Sequence, residues 1–300
     1  MRLLYCNDLH SYGNSEPHYP KTAIAVPRFF ELLKALSNEV DLVIIGGDAT
    51  NRGPARIEEL QWVRGKLEAA GIPFQVIGGN HDIAPSEEFA ARYPGMEDME
   101  DCPLEETNFG QVFGPQGTRN VLEIDGFRLV FFCLRNHDPD GQIPWVETQL
   151  AETGPTLLFC HYPIVPSRTG GFCHEWGYSR IGAVRQQLVE LVQRHSDSVR
   201  AYFCGHQHIN SRARFPGPDL SPYPEQIETG ALGLATCCYR LLDFKPSGIQ
   251  VTTHVLPDIP DWLDDVMNPD RSEDAEHLTL EAYQWGNEEE RTFTILRHPG

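Results

Sequence analysis

The chain has 300 residues, 40% of them hydrophobic, enough for one large domain or two small ones. With 24 Lys and Arg against 43 Asp and Glu, its formal charge of −19 argues against a broad nucleic-acid surface, because phosphate backbones demand a basic face. No apolar run reaches the length of a membrane span, no signal-peptide pattern stands at the N-terminus, and the eight cysteines include no C-x-x-C pair. The expectation is a cytoplasmic protein with no membrane or nucleic-acid partner and no disulfide framework.

In chain order, Arg2 to Cys6 predicts a short strand that ends at Asn7-Asp8, and Val26 to Leu36 a helix. Asp41 to Ile45 is an apolar strand running into Gly46-Gly47-Asp48. Pro54 to Ala70 reads as a helix, with Pro54 suited to the first turn and Gly71 to the stop. Phe74 to Ile77 is the next strand, followed by Gly78-Gly79-Asn80. This strand–helix alternation predicts a parallel sheet with covered faces. Ile83 to Gly117 is acidic and rich in Pro and Gly, which predicts loops and short helices lying over a site. Val121 to Leu134 predicts a hairpin turning at Asp125-Gly126. A helix over Trp145 to Glu152, a strand over Thr156 to Cys160, a helix over Ile181 to His195 and a strand over Arg200 to Cys204 follow. A second hairpin spans Tyr239 to Val255, turning near Pro246-Ser247-Gly248. The expected division is a main domain over residues 1–256 and an acidic C-terminal extension over residues 257–300.

Five motifs punctuate these strands: Asp8-Leu9-His10, Gly47-Asp48, Gly79-Asn80-His81-Asp82, His161 and Gly205-His206-Gln207-His208. Asp, Asn and His are ligands of hydrolytic metal sites, and strand ends are where an α/β sheet gathers residues from distant positions. Asp8 and His10, like His206 and His208, are two apart, and in extended backbone such side chains point the same way. Asp48 can bridge two ions through its two oxygens, and the adjacent glycines permit close backbone approach. Asn80 offers a neutral oxygen, and His81 should diverge from it toward substrate. Each motif is weak alone; the information lies in all of them, in order, each after a strand.

The series D-x-H, G-D, G-N-H-D, H and G-H-x-H resembles the calcineurin-like metallophosphoesterase superfamily, and most of all its branch of class III cyclic-nucleotide phosphodiesterases and glycerophosphodiesterases. The resemblance covers about Met1 to Val255 and includes Phe113-Gly114-Pro115 and Trp145-Val146-Glu147. It implies an α/β fold, a four-layer α/β/β/α sandwich of two mixed β-sheets flanked by helices. It also implies a site in which Asp8, His10 and His208 hold one metal, Asn80, His161 and His206 hold another, and Asp48 bridges them. His81 would be the catalytic histidine near the leaving group, with Asp82 as its orienting partner.

The implied cofactors are two divalent or mixed-valence ions, about 4 Å apart, sharing a hydroxide that attacks phosphorus in line. Mn, Fe, Zn and Co all suit such mixed nitrogen and oxygen donors. Two candidate substrate contacts lie nearby. Arg52, in Asn51-Arg52-Gly53, is similar in place to the phosphate-binding arginine of Ser/Thr protein phosphatases, although Asn51 stands where they carry aspartate. The same Asn51 replaces the ligand tyrosine of purple acid phosphatases and argues against that branch. His174 lies in the Gly-rich segment from Pro163 to Tyr178, a natural lid after a metal histidine. The expected activity is a phosphodiesterase on a small molecule such as a cyclic nucleotide or glycerophosphodiester. A phosphomonoesterase or nucleotide pyrophosphatase with the same metals, and a non-catalytic metal-binding scaffold, are the alternatives; the pattern also leaves room for a homo-oligomer.

Overall fold

The computed structural model describes residues 1–83, 102–152, 154–168, 181–215, 224–234, 236–259 and 284–297. Two six-stranded sheets form its centre. In the first, β1 (Arg2–Cys6), β2 (Leu42–Ile45) and β3 (Phe74–Val76) run parallel, and β10 (Cys238–Lys245), β11 (Gly248–Val255) and β12 (Thr292–Leu296) extend it antiparallel, in the order β12-β11-β10-β1-β2-β3. The second contains β4 (Arg119–Ile124), β5 (Phe127–Phe132), β6 (Thr156–Phe159), β7 (Val199–Cys204), β8 (Ser211–Arg214) and β9 (Glu225–Glu228), in the order β4-β5-β6-β7-β9-β8. Its inner strands are parallel, with antiparallel pairs at both edges.

Period-two alternation sorts the second sheet's side chains into two cores. Leu129, Phe131, Leu157, Phe159, Ala201 and Phe203 face the first sheet, whereas Val130, Phe132, Leu158, Cys160, Tyr202 and Cys204 face outward. The outer set is covered by α4 (Gln142–Leu150) and α5 (Gly182–Arg194), through Ile143, Val146, Leu188 and Leu191. Across the sandwich, Phe159 stacks between Phe131 and Phe203 at 4.7 and 4.8 Å, and Tyr5 meets Phe159 and Phe203 edge-on. Each such aromatic pair adds about 0.5–1.5 kcal/mol beyond the area it buries. The far side of the first sheet is packed by α1 (Pro20–Ala35) and α2 (Ile57–Ala70), through Phe29, Leu33, Leu60, Val63 and Leu67. The result is the four-layer α/β/β/α sandwich.

Local chemistry sets the boundaries. Pro20 opens α1, six residues before the expected start, and Pro27 sits inside the helix. Gly71, left-handed at φ 74°, ends α2. Asp125 and Gly126 both take positive φ, as a two-residue hairpin turn requires. Thr107 caps α3 (Asn108–Thr118) by accepting from Gly110 N at 3.1 Å. The segment read as an acidic extension has its described end inside the fold: α6 (Glu288–Arg291), held by an Asn287–Glu290 capping box, leads into β12 at the sheet edge. A boundary after residue 256 therefore cuts through one sheet. Among the described residues, no helix is long and apolar enough to cross a membrane.

Candidate metal centre

All five motifs leave the C-terminal ends of parallel strands: β1, β2 and β3 from one sheet, β6 and β7 from the other. The loops after β1 and β2 stay zipped beyond the strands, with Asp8 N donating to Gly47 O and His10 N to Asp48 O, both at 3.0 Å. The second sheet joins them where Gly205 N donates to His161 O at 2.9 Å and His206 N to Asp8 Oδ2 at 3.1 Å. Asn7 crosses the seam, its Nδ2 donating to Cys204 O at 3.1 Å.

The seven expected ligands are buried at this seam, along with the partly buried His81. Ligand atoms of Asp8, His10 and His208 lie within 4.8 Å of one another, as do those of Asp48, His161 and His206. Asp48 also groups with His10 and His81, so its carboxylate reaches toward both sets. His10 Nε2 is 3.2 Å from His208 Nε2, Asp8 Oδ1 is 3.5 Å from His208 Nε2, and Asp48 Oδ2 is 3.2 Å from His161 Nε2. Gly46 O, 3.2 Å from His161 Nδ1, occupies that ring's other nitrogen and so aims Nε2 at the carboxylates. Asn80 is placed between Gly79, which packs on Asp48, and His81, whose N–H donates to Asp48 Oδ1 at 2.8 Å.

The donor set suits divalent cations, and the buried atoms call for them. Asp8 Oδ1 and Asn80 Oδ1 are fully buried without a hydrogen-bond donor, a situation that costs roughly 1–3 kcal/mol per group unless something compensates it. Burial, helped by neighbouring imidazoles, pushes His10 well below the ordinary histidine value and keeps it neutral, the form that ligates metal. For Asp48 burial works upward, but His161, His81 and His10 outweigh it and hold the carboxylate well below its usual range. Burial likewise opposes the charging of His161, yet Asp48 and Asp8 raise it to about 9 in the metal-free pocket.

The backbone departs from the expected extended geometry. Asp8, His10, Asp48, His206 and His208 all take left-handed φ values, from 47° to 72°. The D-x-H and H-x-H pairs thus converge through alternating turns around a buried middle residue, not along one face of a strand. Left-handed conformations cost non-glycine residues about 1–2 kcal/mol each and persist where the surroundings dictate them. Two glycines admit the crowding: a Cβ on Gly79 would stand 2.2 Å from Asp48 Oδ1, and one on Gly47, at φ 114°, would stand 2.3 Å from His161 Nδ1.

Asp82 sits elsewhere than expected. Its carboxylate accepts from Gly79 N and Ala49 N at 3.1 Å, Thr50 N at 2.9 Å and Thr50 Oγ1 at 2.8 Å, bracing the β2 and β3 loops together. Burial and the charge of Asp48 push it up to about 7. His81 Nδ1 meets Asn51 O at 2.9 Å, so a backbone carbonyl orients this ring. Arg52 is engaged by the buried Glu59, with Nε donating to Oε1 at 2.7 Å, and lies over the Tyr12 ring. His174 lies outside the described residues. The sequence gives no signal for Glu59 as the partner of Arg52, nor for the contacts of Asn7 with Cys204 O and of Asn51 O with His81.

Comparison with known proteins points to one family. A family model, calcineurin-like phosphoesterase, matches residues 1–210. The chain is similar to a glycerophosphodiester phosphodiesterase, GpdQ, of Enterobacter lignolyticus (28% identity, 65% of this chain and 66% of that protein). It is also similar to a probable cyclic nucleotide phosphodiesterase of Psychrobacter arcticus (26% identity, 82% of each). The aligned region thus spans about two thirds of the first relative's length. Among solved structures, a dimetal phosphatase from Danio rerio aligns over 84% of this chain and 95% of its own, with TM-score 0.57 and 13% identity. A yellow lupin purple acid phosphatase aligns over 88% of this chain and 52% of its own, also with TM-score 0.57 and 13% identity; likeness at this level concerns the fold alone. With a family model that matches residues 1–210, a region ending just past the last histidine motif, the chain belongs to the calcineurin-like phosphoesterases, metal-dependent hydrolases of phosphoester bonds.

Proposed function

We propose that this chain is a two-metal phosphodiesterase acting on a small diester, such as a cyclic nucleotide or a glycerophosphodiester. The observation that carries this reading is the pair of three-residue ligand clusters, with Asp48 reaching toward both. Asp8, His10 and His208 would hold one ion, Asn80, His161 and His206 the other, and Asp48 would lie between them. The relatives named as glycerophosphodiester and cyclic nucleotide phosphodiesterases support the diester preference.

When bound, the ions would supply Lewis-acid clamping of the phosphate and an activated water. The protein's own share is orientation and proton handling. Asn51 O fixes the His81 ring through Nδ1, which in the neutral ring leaves Nε2 as the basic nitrogen. From the rim of the cluster His81 would steer the proton that the departing oxygen needs, worth about a hundredfold in rate. Arg52, steadied by Glu59, would face the phosphate from the β2 loop, and His174 would contact substrate from the segment after His161.

The test is a panel of glycerophosphodiesters, 3′,5′-cyclic nucleotides, bis(p-nitrophenyl) phosphate, p-nitrophenyl phosphate and nucleotide pyrophosphates, with protein reconstituted in Mn, Fe, Zn or Co. Diester hydrolysis abolished by a chelator is the expected result. Turnover confined to monoesters or pyrophosphates would move the assignment to those classes, and metal uptake without any turnover would leave only a scaffold.

A further inference from the structure

The loop that carries His206 and His208 is strained at both histidines, with φ values of 72° and 59°. Such a loop keeps its shape only if both ends are pinned. Its entry is pinned within the metal centre, by Gly205 N on His161 O and His206 N on Asp8 Oδ2. Its exit is pinned at Asn210, two residues after His208. Asn210 is fully buried and uses all four of its polar groups. Its N–H donates to Gln284 O at 2.7 Å, its carbonyl accepts from Arg168 Nη2 at 3.1 Å, Oδ1 accepts from Gly230 N and Arg240 Nη2, and Nδ2 donates to Cys238 Sγ.

Two of these partners depend on the C-terminal segment. Gln284 belongs to it, and Arg168 is gripped in a two-pronged pair by its Glu290, at 2.6 and 2.8 Å. Glu290 is itself fixed by the capping box with Asn287 and offers its carbonyl to the buried Arg240. Residues 284–297 lie beyond the region the family model matches, which ends at Asn210.

We propose that Asn210 and Arg168 are positioning residues for the His206/His208 pair, and that Glu290 of the C-terminal segment holds them in place. The inference rests on the metal-centre reading above. The fork of Arg168 joins Glu290 to the Asn210 carbonyl, so loosening it frees the exit of a strained loop and lets both imidazoles drift from their ligand positions.

The test is calorimetric titration of chelator-stripped protein with Mn²⁺ alone, beside thermal unfolding of the same samples. Glu290→Ala and Arg168→Lys, which keeps the charge but loses the fork, should each weaken Mn²⁺ binding about tenfold. Glu290→Gln, which retains an acceptor for Arg168, should recover part of that loss. Ile295→Val, a buried truncation on β12, serves as the stability control and should lower the unfolding temperature with Mn²⁺ affinity unchanged. Wild-type affinity in Arg168→Lys and in Glu290→Ala would overturn the proposal, as would an Ile295→Val loss of affinity in step with its loss of stability. A wild-type protein that takes up no Mn²⁺ would remove the metal-centre reading itself, a result separable from the other two.

Discussion

Gly79→Ala gives the most direct test of the crowded seam. Gly79 does not need a left-handed φ, so the substitution changes space and not backbone preference. The added methyl would stand 2.2 Å from Asp48 Oδ1, 2.7 Å from His161 Cδ2 and 2.8 Å from the Asp48 backbone nitrogen. Restoring ordinary contact, from 3.4 Å outward, requires the carboxylate oxygen to retreat by about 1.2 Å, and the backbone nitrogen cannot follow easily because its loop is zipped to β1. Overpacking of this kind costs about 1–3 kcal/mol, which a domain with two cores should survive. A displacement near 1 Å at a candidate shared ligand would be far more damaging to chemistry, on the order of a hundredfold in rate. The expected outcome is a folded protein with weakened metal content and bis(p-nitrophenyl) phosphate turnover reduced by about two orders of magnitude. Gly65→Ala is the control: its Cβ meets nothing within 4 Å on α2, and it should add about 0.5–1 kcal/mol of stability with no loss of rate. A Gly79→Ala protein with native metal content and native turnover would refute the argument that Asp48 is confined by its neighbours.

Three further outcomes follow from the structure. His81→Ala should keep its metals, measured by elemental analysis, while slowing a diester with a poor leaving group by about a hundredfold; an unchanged rate removes the ring from the chemistry. Burial pushes Glu228 up to about 7, above the ordinary 4.5, despite hydrogen bonds from Ser167 and Ser211. Between those values the folded chain keeps a proton that the unfolded chain has released, so this group's contribution to stability is greatest below pH 4.5 and falls as pH climbs to 7. Glu228→Gln should therefore be more stabilising, relative to wild type, at pH 8 than at pH 5 in thermal unfolding of metal-free protein, and a difference independent of pH would contradict the burial argument. Finally, because the candidate ligands come from both sheets, stripping metal should lower the unfolding temperature of the whole domain. At a hundredfold excess over Kd the linkage is about 2.7 kcal/mol, or roughly 5 °C, and a melting curve indifferent to chelator would mean the ions do not hold the sheets together.

The strands, and the meeting of the motif residues at their ends, were legible because each motif follows a short apolar run, and apolar runs of that length are a strong signal of buried parallel strands. Asp125-Gly126 announced its hairpin for the same kind of local reason. The left-handed backbone at Asp8, His10, Asp48, His206 and His208 was not legible, since none is a glycine and only the packed seam imposes it. Asp82 was misread through adjacency: its place beside His81 in sequence says nothing about the four donors that reach it from two loops. Glu290 and β12 were hidden because a short edge strand after a long acidic stretch carries little periodicity, and its pairing partner, β11, had already been accounted for as half of a hairpin.

The position of β1 bears on how the molecule is made. Leu4 pairs with Val43 on one side and with Leu241 on the other, so β1 lies between a neighbour close to it in sequence and one made much later. Until the chain beyond Lys245 has emerged, one edge of β1 has no partner, and a bare hydrophobic edge invites association with other nascent chains. Asp8 and His10 are made well before His161, His206 and His208, so the candidate metal cluster can close only after that later stretch of chain has emerged.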